Sequence, residues 1–419
     1  MQKSFSGAQL IVVSISVLAM RGALAADPVF QNFFFDACDN PVGDLAVRCG
    51  ETPGGTGDLS GNSESSLNPS QPLSSQAAAL GRAREKTREA SETIAELRDM
   101  DADKQQSGVS EAGALSIGPF SLLLNGRKTW FDQDRDDSDA ERGLDGDIWA
   151  VELGFDYRLS DRTVVGGFVG YENTDADYDK DESGVNFTPQ SDSGGIDADS
   201  YSFTLFGSYN LTENLFIEGS AGYSTTDYTF ERNVVFQEST RTIAQTDVRA
   251  KADTDGEQYW ASASMGYEFY RDAFSFGPYA RVTYVKSTVD DYTENDTNNS
   301  GLEMRIDVDD RTSVTTDLGI GVSYAVSTSW GVLVPQARVE WEHEFDQDAQ
   351  DITSLYVLDA DRNQFSLEGD NPDRDYFNLG AGVSAIFPNG WMGFIDYEGL
   401  AGYEDLSRHR VTVGLRIEL

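Results

Sequence analysis

The chain has 419 residues, 39% of them hydrophobic, and a formal net charge of -41 from 72 acidic and 31 basic side chains. That charge excludes nucleic acid and anionic lipid head-groups as direct partners, because both are polyanions. The composition looks soluble, but a membrane β-barrel alternates lipid-facing apolar with lumen-facing polar residues and so keeps a low mean hydropathy; 18 Tyr, 23 Phe and 40 Gly against 11 Pro fit that architecture.

Residues 1–25 have the form of a secretory signal. Lys3 supplies a basic start, Gln9 to Met20 an apolar core too short to span a bilayer, and Ala23-Leu24-Ala25 a small-residue cleavage site. No later segment reaches eighteen consecutive apolar residues, so no transmembrane helix is expected. Residues 26–76 form a short linker-like segment. It holds an aromatic stretch (VFQNFFF, 29–35), the pair Cys38 and Cys49, and a Gly/Ser/Asn/Pro-rich run from 51 to 76 without the apolar content to fold alone. In an oxidising compartment two such cysteines favour a disulfide over a metal site, and no His lies near them in sequence.

Residues 77–104 are rich in Ala, Arg, Glu and Leu. Leu80, Ala83, Thr87, Ala90, Ile94 and Leu97 recur at steps of three and four, which predicts a helix with one narrow small-to-apolar stripe and charge elsewhere. At 1.5 Å per residue it would be about 40 Å long. It would serve as a short coiled coil or, alternatively, as a helix in a polar tunnel, where mixed charge is an asset.

From residue 117 the period becomes two. Trp149, Val151, Leu153, Phe155, Tyr157 and Leu159 face one way, with Glu152, Asp156 and Arg158 opposite. Leu333, Pro335, Ala337, Val339 and Trp341 alternate with Gln336, Arg338, Glu340 and Glu342. Phe168 and Phe394 depart from the simple outward-apolar pattern. Twelve strands are predicted, at 117–132, 146–159, 163–174, 199–211, 215–229, 257–270, 273–287, 312–326, 330–346, 374–387, 391–403 and 409–419. Links after the second, fourth, sixth, eighth and tenth are tight. Those after the first, third, fifth, seventh and ninth are long and acidic. Short turns on one rim and long loops on the other are the plan of an antiparallel outer-membrane barrel. Lipid offers no partner to an open sheet edge, so the sheet must close, and an even strand count lets the first and last strands pair antiparallel. A helix about 10 Å across fits the bore expected of twelve strands.

Signal, short exported segment, charged helix and twelve strands ending at the last residue together resemble the autotransporter (type V secretion) family, over residues 77–419. The resemblance implies a 12-stranded outer-membrane β-barrel from about residue 112 to 419, with the helix in its lumen and the upstream segment carried to the cell surface. It also implies outer-membrane lipid, periplasmic chaperones and the barrel-assembly machinery as partners. The last strand, VTVGLRIEL, resembles the family's C-terminal assembly signal through Val411, Val413, Leu415, Ile417 and Leu419. That signal usually ends in Phe. The segment before the helix is shorter than is usual in the family and has no repeat, and residues 77–104 lack the Asn pair at which self-cleaving members cut. A tethered segment is expected.

The candidate site is therefore the lumen. Arg82, Arg84, Lys86 and Arg88 cluster in the first half of the helix, and Glu152, Asp156, Glu340, Glu342, Asp396 and Glu398 would line the wall. The reading is an acidic wall holding a basic plug; the alternative is solvated charge on a helix outside the barrel. No enzyme is expected: His343 and His409 are not followed by a His-x-Ser nucleophile, and neither Gly-x-Ser-x-Gly nor His-Glu-x-x-His occurs. Asp132, Asp134, Asp136, Asp137 and Asp139, and Asp175, Asp177, Asp179 and Asp181, lie in loops that suit at most weak divalent cations. No EF-hand spacing is present, so solvated acidic loops are favoured and no metal or cofactor site is assigned. Surface display by a non-catalytic barrel is the leading function. A helix-gated passive pore and an adhesive protein acting through its loops are the alternatives.

Overall fold

The computed structural model describes residues 28–51, 67–106, 119–134, 141–179, 194–236, 246–296, 298–346, 351–388 and 390–419. The signal segment 1–25 lies outside them. Among the described residues, twelve strands form the barrel: β1 (Phe120–Gln133), β2 (Leu144–Ser160), β3 (Thr163–Tyr178), β4 (Gly194–Asn210), β5 (Leu215–Phe236), β6 (Thr246–Tyr267), β7 (Phe274–Val289), β8 (Arg311–Tyr324), β9 (Val332–Glu344), β10 (Asp375–Ile386), β11 (Trp391–Ala401) and β12 (Leu406–Glu418). Each pairs antiparallel with its chain neighbours, and β1 pairs with β12 from Ser121↔Glu418 to Gln133↔Leu406. Among the described residues the barrel sheet is closed, with no open edge strand. β5 and β6 run to 22 residues each, so their hairpin stands above the long-loop rim.

The alternation follows from the two environments. On β2 the residues from Trp149 to Leu159 at odd positions are exposed on the outer face, while Ile148, Ala150, Glu152 and Asp156 are buried inside. Phe168 turns inward, as its departure from the pattern indicates, and packs with Phe206 at 5.2 Å between centroids. Inward aromatics of this kind need glycine opposite them. A Cβ on Gly222 would sit 2.2 Å from the buried Trp260 ring, so only glycine lets the indole lie against the β5 backbone.

Three helices precede the barrel: α1 (Pro28–Ala37), α2 (Gly43–Glu51) and α3 (Gln71–Gln106). α3 is the expected charged helix, beginning at 71 rather than 77 and ending at 106 rather than 104. It lies inside the barrel against β4, β5, β6 and β7. Leu80 and Ala83 pack on Trp260 and Val285, and Ala90 and Ile94 on Leu123, Phe168 and Phe206. Its N-terminal end is at the long-loop rim, where Gln76 Nε2 donates to the Asp309 carbonyl at 3.1 Å. Ile94 lies among residues near the short-turn ends of β1, β3 and β4.

The segment 26–76 is not linker throughout. α1 and α2 pack on a four-stranded sheet made by Tyr292–Thr293 and Met304–Val308, between β7 and β8, and by Asp351–Tyr356 and Phe365–Glu368, between β9 and β10. Phe34, Leu45 and Leu67 are fully buried in this cap, and Phe33 stacks on Phe365 at 4.3 Å. The segment has too little apolar content to fold by itself; residues 28–51 and Leu67 fold because barrel loops supply the rest of the core. Residues 52–66 lie outside the described residues. Gly301, at φ +83°, brings its backbone against Leu45, where a Cβ would be 2.2 Å from the Leu45 nitrogen. Cys38 and Cys49 are joined as a disulfide, Cα–Cα 5.5 Å, tying α1 to α2. Arg232 of β5 anchors the cap through Glu294, at 2.8 and 2.5 Å, and the Leu302 carbonyl.

Gly222→Val overpacks the Trp260 contact and should destabilise the barrel by about 1–3 kcal/mol, lowering the temperature at which the folded band disappears in heat-modifiability gels. Cys38→Ser with Cys49→Ser should weaken the cap by about 2–3 kcal/mol while leaving the barrel band intact, and limited proteolysis should then cut within residues 28–51.

The helix and wall of the lumen

Removing a charged side chain from water costs several kcal/mol unless a partner meets it, so an enclosed helix with alternating charge needs a wall of matching charge. The basic half of α3 meets carboxylates. Arg82 lies 3.0 Å from Glu172, and Lys86 lies 3.1 Å from Glu152. Arg84 pairs with Glu344 and donates to Tyr376 Oη at 2.9 Å; Arg88 lies 3.0 Å from Glu342 and 3.5 Å from Glu398. Glu342 is held from behind by Tyr376 Oη at 2.6 Å and Asn378 Nδ2 at 2.7 Å.

The helix also carries the reverse polarity. Glu85 meets Arg408 at 3.2 Å, Glu89 meets Arg127 at 2.9 Å, and Glu92 meets Arg338 at 2.7 Å and Arg410 at 3.3 Å. These carboxylates reach wall arginines from the same helix whose basic groups reach wall acids, so α3 is held by attraction of both signs.

Of the candidate wall acids, Glu152, Glu342 and Glu398 touch the helix. Asp156, Glu340 and Asp396 do not, which corrects the sequence expectation. Asp156 binds Arg416 at 2.9 Å, Glu340 binds Arg281 at 2.7 Å, and Asp396 binds Arg338 at 3.0 Å. In each case an arginine of the wall itself takes up the acid. Sequence reasoning misses Glu172 and Glu344 as helix partners, although Glu344 continues the Glu340, Glu342 alternation. It also misses the acidic set Glu85, Glu89 and Glu92; their three- and four-residue spacing, beside inward-phase Arg408 and Arg410, is the available signal.

Glu398 is the point of highest charge density. Arg338 approaches it at 2.9 Å, Arg410 at 3.1 Å, Arg88 at 3.5 Å and Arg408 at 3.7 Å, joining helix to β9, β11 and β12.

The remaining sequence candidates lie elsewhere. His343 is on the outer face beside Asp375 Oδ1 at 2.8 Å, in ring contact with Trp341 and Phe345. His409 meets Tyr397 Oη at 2.7 Å. Val411, Val413, Leu415 and Ile417 alternate on the outer side of β12, with Arg410, Thr412 and Arg416 buried inside. Leu419 closes the seam by donating its N–H to the Phe120 carbonyl at 2.9 Å. Asp136, Asp137, Asp139 and Asp181 lie outside the described residues. Asp179, at the long-loop rim, has its carboxyl held above the usual range by partial burial and by Asp132, Asp145 and Asp134. Among the described residues no group of three or more His, Cys, Asp or Glu is placed to hold a metal ion.

The family model described as autotransporter beta-domain matches residues 123–398. An uncharacterized Pseudomonas putida protein from the trpE-trpG intergenic region is 26% identical over 261 residues, 58% of this chain and 37% of that protein. Outer membrane protein B of Rickettsia rickettsii is 24% identical over 179 residues, 42% of this chain and 10% of that protein. The chain thus spans well under half the length of these relatives. Among solved structures, the translocator domain of the autotransporter NalP from Neisseria meningitidis superposes with a TM-score of 0.59 at 14% identity, covering 84% of this chain and all of that one.

Glu398→Gln leaves several arginines without their shared counter-charge and should cost about 3–5 kcal/mol, the range for breaking a buried ion pair. A matched substitution at the exposed Asp161 should change little. The heat-modifiability midpoint reads both, and equal midpoints would show that Glu398 is not a hub.

Proposed function

The chain belongs to the autotransporter β-domain family, and from that premise we propose that its barrel presents the part of residues 26–76 that precedes α3 at the cell surface as a tethered, non-catalytic segment, with α3 kept in the lumen as a plug. An outer-membrane translocator barrel of this family sits in lipid, and its exposed apolar belt is the surface that lipid covers. The finer reading rests chiefly on one observation: α3 enters the lumen at the long-loop rim, so the chain before it lies on that side. Long loops of outer-membrane barrels are extracellular and short turns periplasmic. Residues 28–51 would then be outside the cell, folded against the loops.

In this reading residues 1–25 direct export and are removed. The outward set Val411, Val413, Leu415, Ile417 and Leu419 is what the assembly machinery takes up. The ion pairs of both signs keep the helix in place after transport, which supports display by tethering rather than release.

An epitope tag inserted between Gly54 and Gly61 should be labelled on intact cells; labelling only after the outer membrane is permeabilised would place the segment in the periplasm and refute display. Separately, Arg84→Glu with Arg88→Glu should raise single-channel conductance in planar bilayers. Unchanged conductance would count against the plug while leaving display to the labelling result.

A further inference from the structure

The helix does not fill the bore evenly. It lies against β4 to β7, with Ala90 and Ile94 also packed on Leu123 of β1, and toward β8 to β12 it is held by long charged side chains. A cavity of about 100 Å³ remains there at the long-loop end. Its lining includes Phe131, Arg311, Pro372, Tyr376, Tyr403 and Leu406.

Arg311 distinguishes this cavity. It is the first residue of β8 and shares the inward phase of Ser313 and Thr315. Every other inward-facing arginine of the described barrel strands has an ion pair or hydrogen bond. Arg311 has neither. Glu342 and Glu344 pair with Arg84, and Glu141, which lines the same cavity, accepts from the Asp370 N–H at 2.9 Å; Glu141 and Glu344 act on the charge of Arg311 without forming an ion pair with it. In a chain with 72 acidic residues and 31 basic ones, a guanidinium left unpaired in a cavity is unusual.

We propose that this cavity is a binding site for a compact organic monocarboxylate, with Arg311 as the anion-binding group. The planar guanidinium offers two parallel N–H donors to one carboxylate, and the ligand supplies the direct ion pair that the surrounding wall carboxylates do not make. The apolar part of the ligand rests among Phe131, Pro372, Tyr376 and Leu406. Size restricts the class, since a cavity of about 150 Å³ holds benzene; this one, at about 100 Å³, suits short branched acids and makes benzoate the oversized comparison. This site is independent of whether the segment before α3 is displayed.

The test is calorimetric titration of the folded full-length protein in detergent with isobutyrate and benzoate, against the uncharged isobutyramide and benzamide. At least one carboxylate should bind saturably, neither amide should, and Arg311→Gln should weaken the carboxylate at least about tenfold, as loss of a charged hydrogen bond implies. Arg311→Lys should keep part of the affinity, and both variants are first checked for the folded band in heat-modifiability gels. Absence of saturable binding by either acid, equal binding of acid and amide, or wild-type affinity in folded Arg311→Gln would each overturn the assignment. The acid–amide comparison on the unaltered protein decides the question even if the variants fail to fold.

Discussion

A helix with alternating charge, enclosed in a barrel, cannot leave its charges to water, and the rest of the structure depends on how they are paired. The lumen meets this with reciprocal polarity: Arg82, Arg84, Lys86 and Arg88 face wall carboxylates, while Glu85, Glu89 and Glu92 face wall arginines. Attraction of a single sign would tolerate sliding along an acidic wall. Two opposed sets also fix the rotation of the helix, because turning it about its axis carries Glu89 toward the carboxylate that holds Lys86. The pairing therefore selects a register of helix against wall as well as a location, the use of buried polar groups with the clearest physical basis.

That register sets the path of the chain. The helix stands closest to β4–β7, where Ala83 and Ala90 allow near approach to Trp260, Val285 and Phe206. It consequently leaves space on the β8–β12 side, where Arg311 looks into the cavity. The start of the helix at the long-loop rim also places α1 and α2 where the loops after β7 and β9 can complete a core with them. Arg232 and Glu294 link that core to the β5 strand, so the cap and barrel share one framework. The mouth is a packed structure, with Phe34, Leu45, Met304 and Ile306 in one core with barrel residues such as Tyr228 and Phe230.

Strand number, closure and the parity of short and long connections are legible along the chain because a tilted strand in lipid has only two faces, and residues such as Leu153 and Glu152 report them directly. The charged helix is legible from its period, and its charge points to a tunnel. Half of the wall partners are not. Glu152, Glu342 and Glu398 reach the helix whereas Asp156, Glu340 and Asp396 are taken by arginines, and nothing in strand alternation distinguishes the two groups. Which inward carboxylate meets the helix depends on its height in the barrel and on the strand beside it, both properties of register.

By itself the sequence determined the features that one-dimensional periodicity encodes: twelve alternating strands, an even closed sheet, a polar lumen and a helix fit to occupy it. Only the tertiary structure decided the long-range pairings: Glu89 with Arg127, Arg88 with Glu342, Arg416 with Asp156, and the burial of Phe34 and Leu45 beneath strands far along the chain. The reason is physical. Alternation expresses the contrast between lipid and lumen at each residue in turn, whereas ion pairs and shared cores depend on side chains brought together by barrel closure, whose separation along the chain carries no local signal.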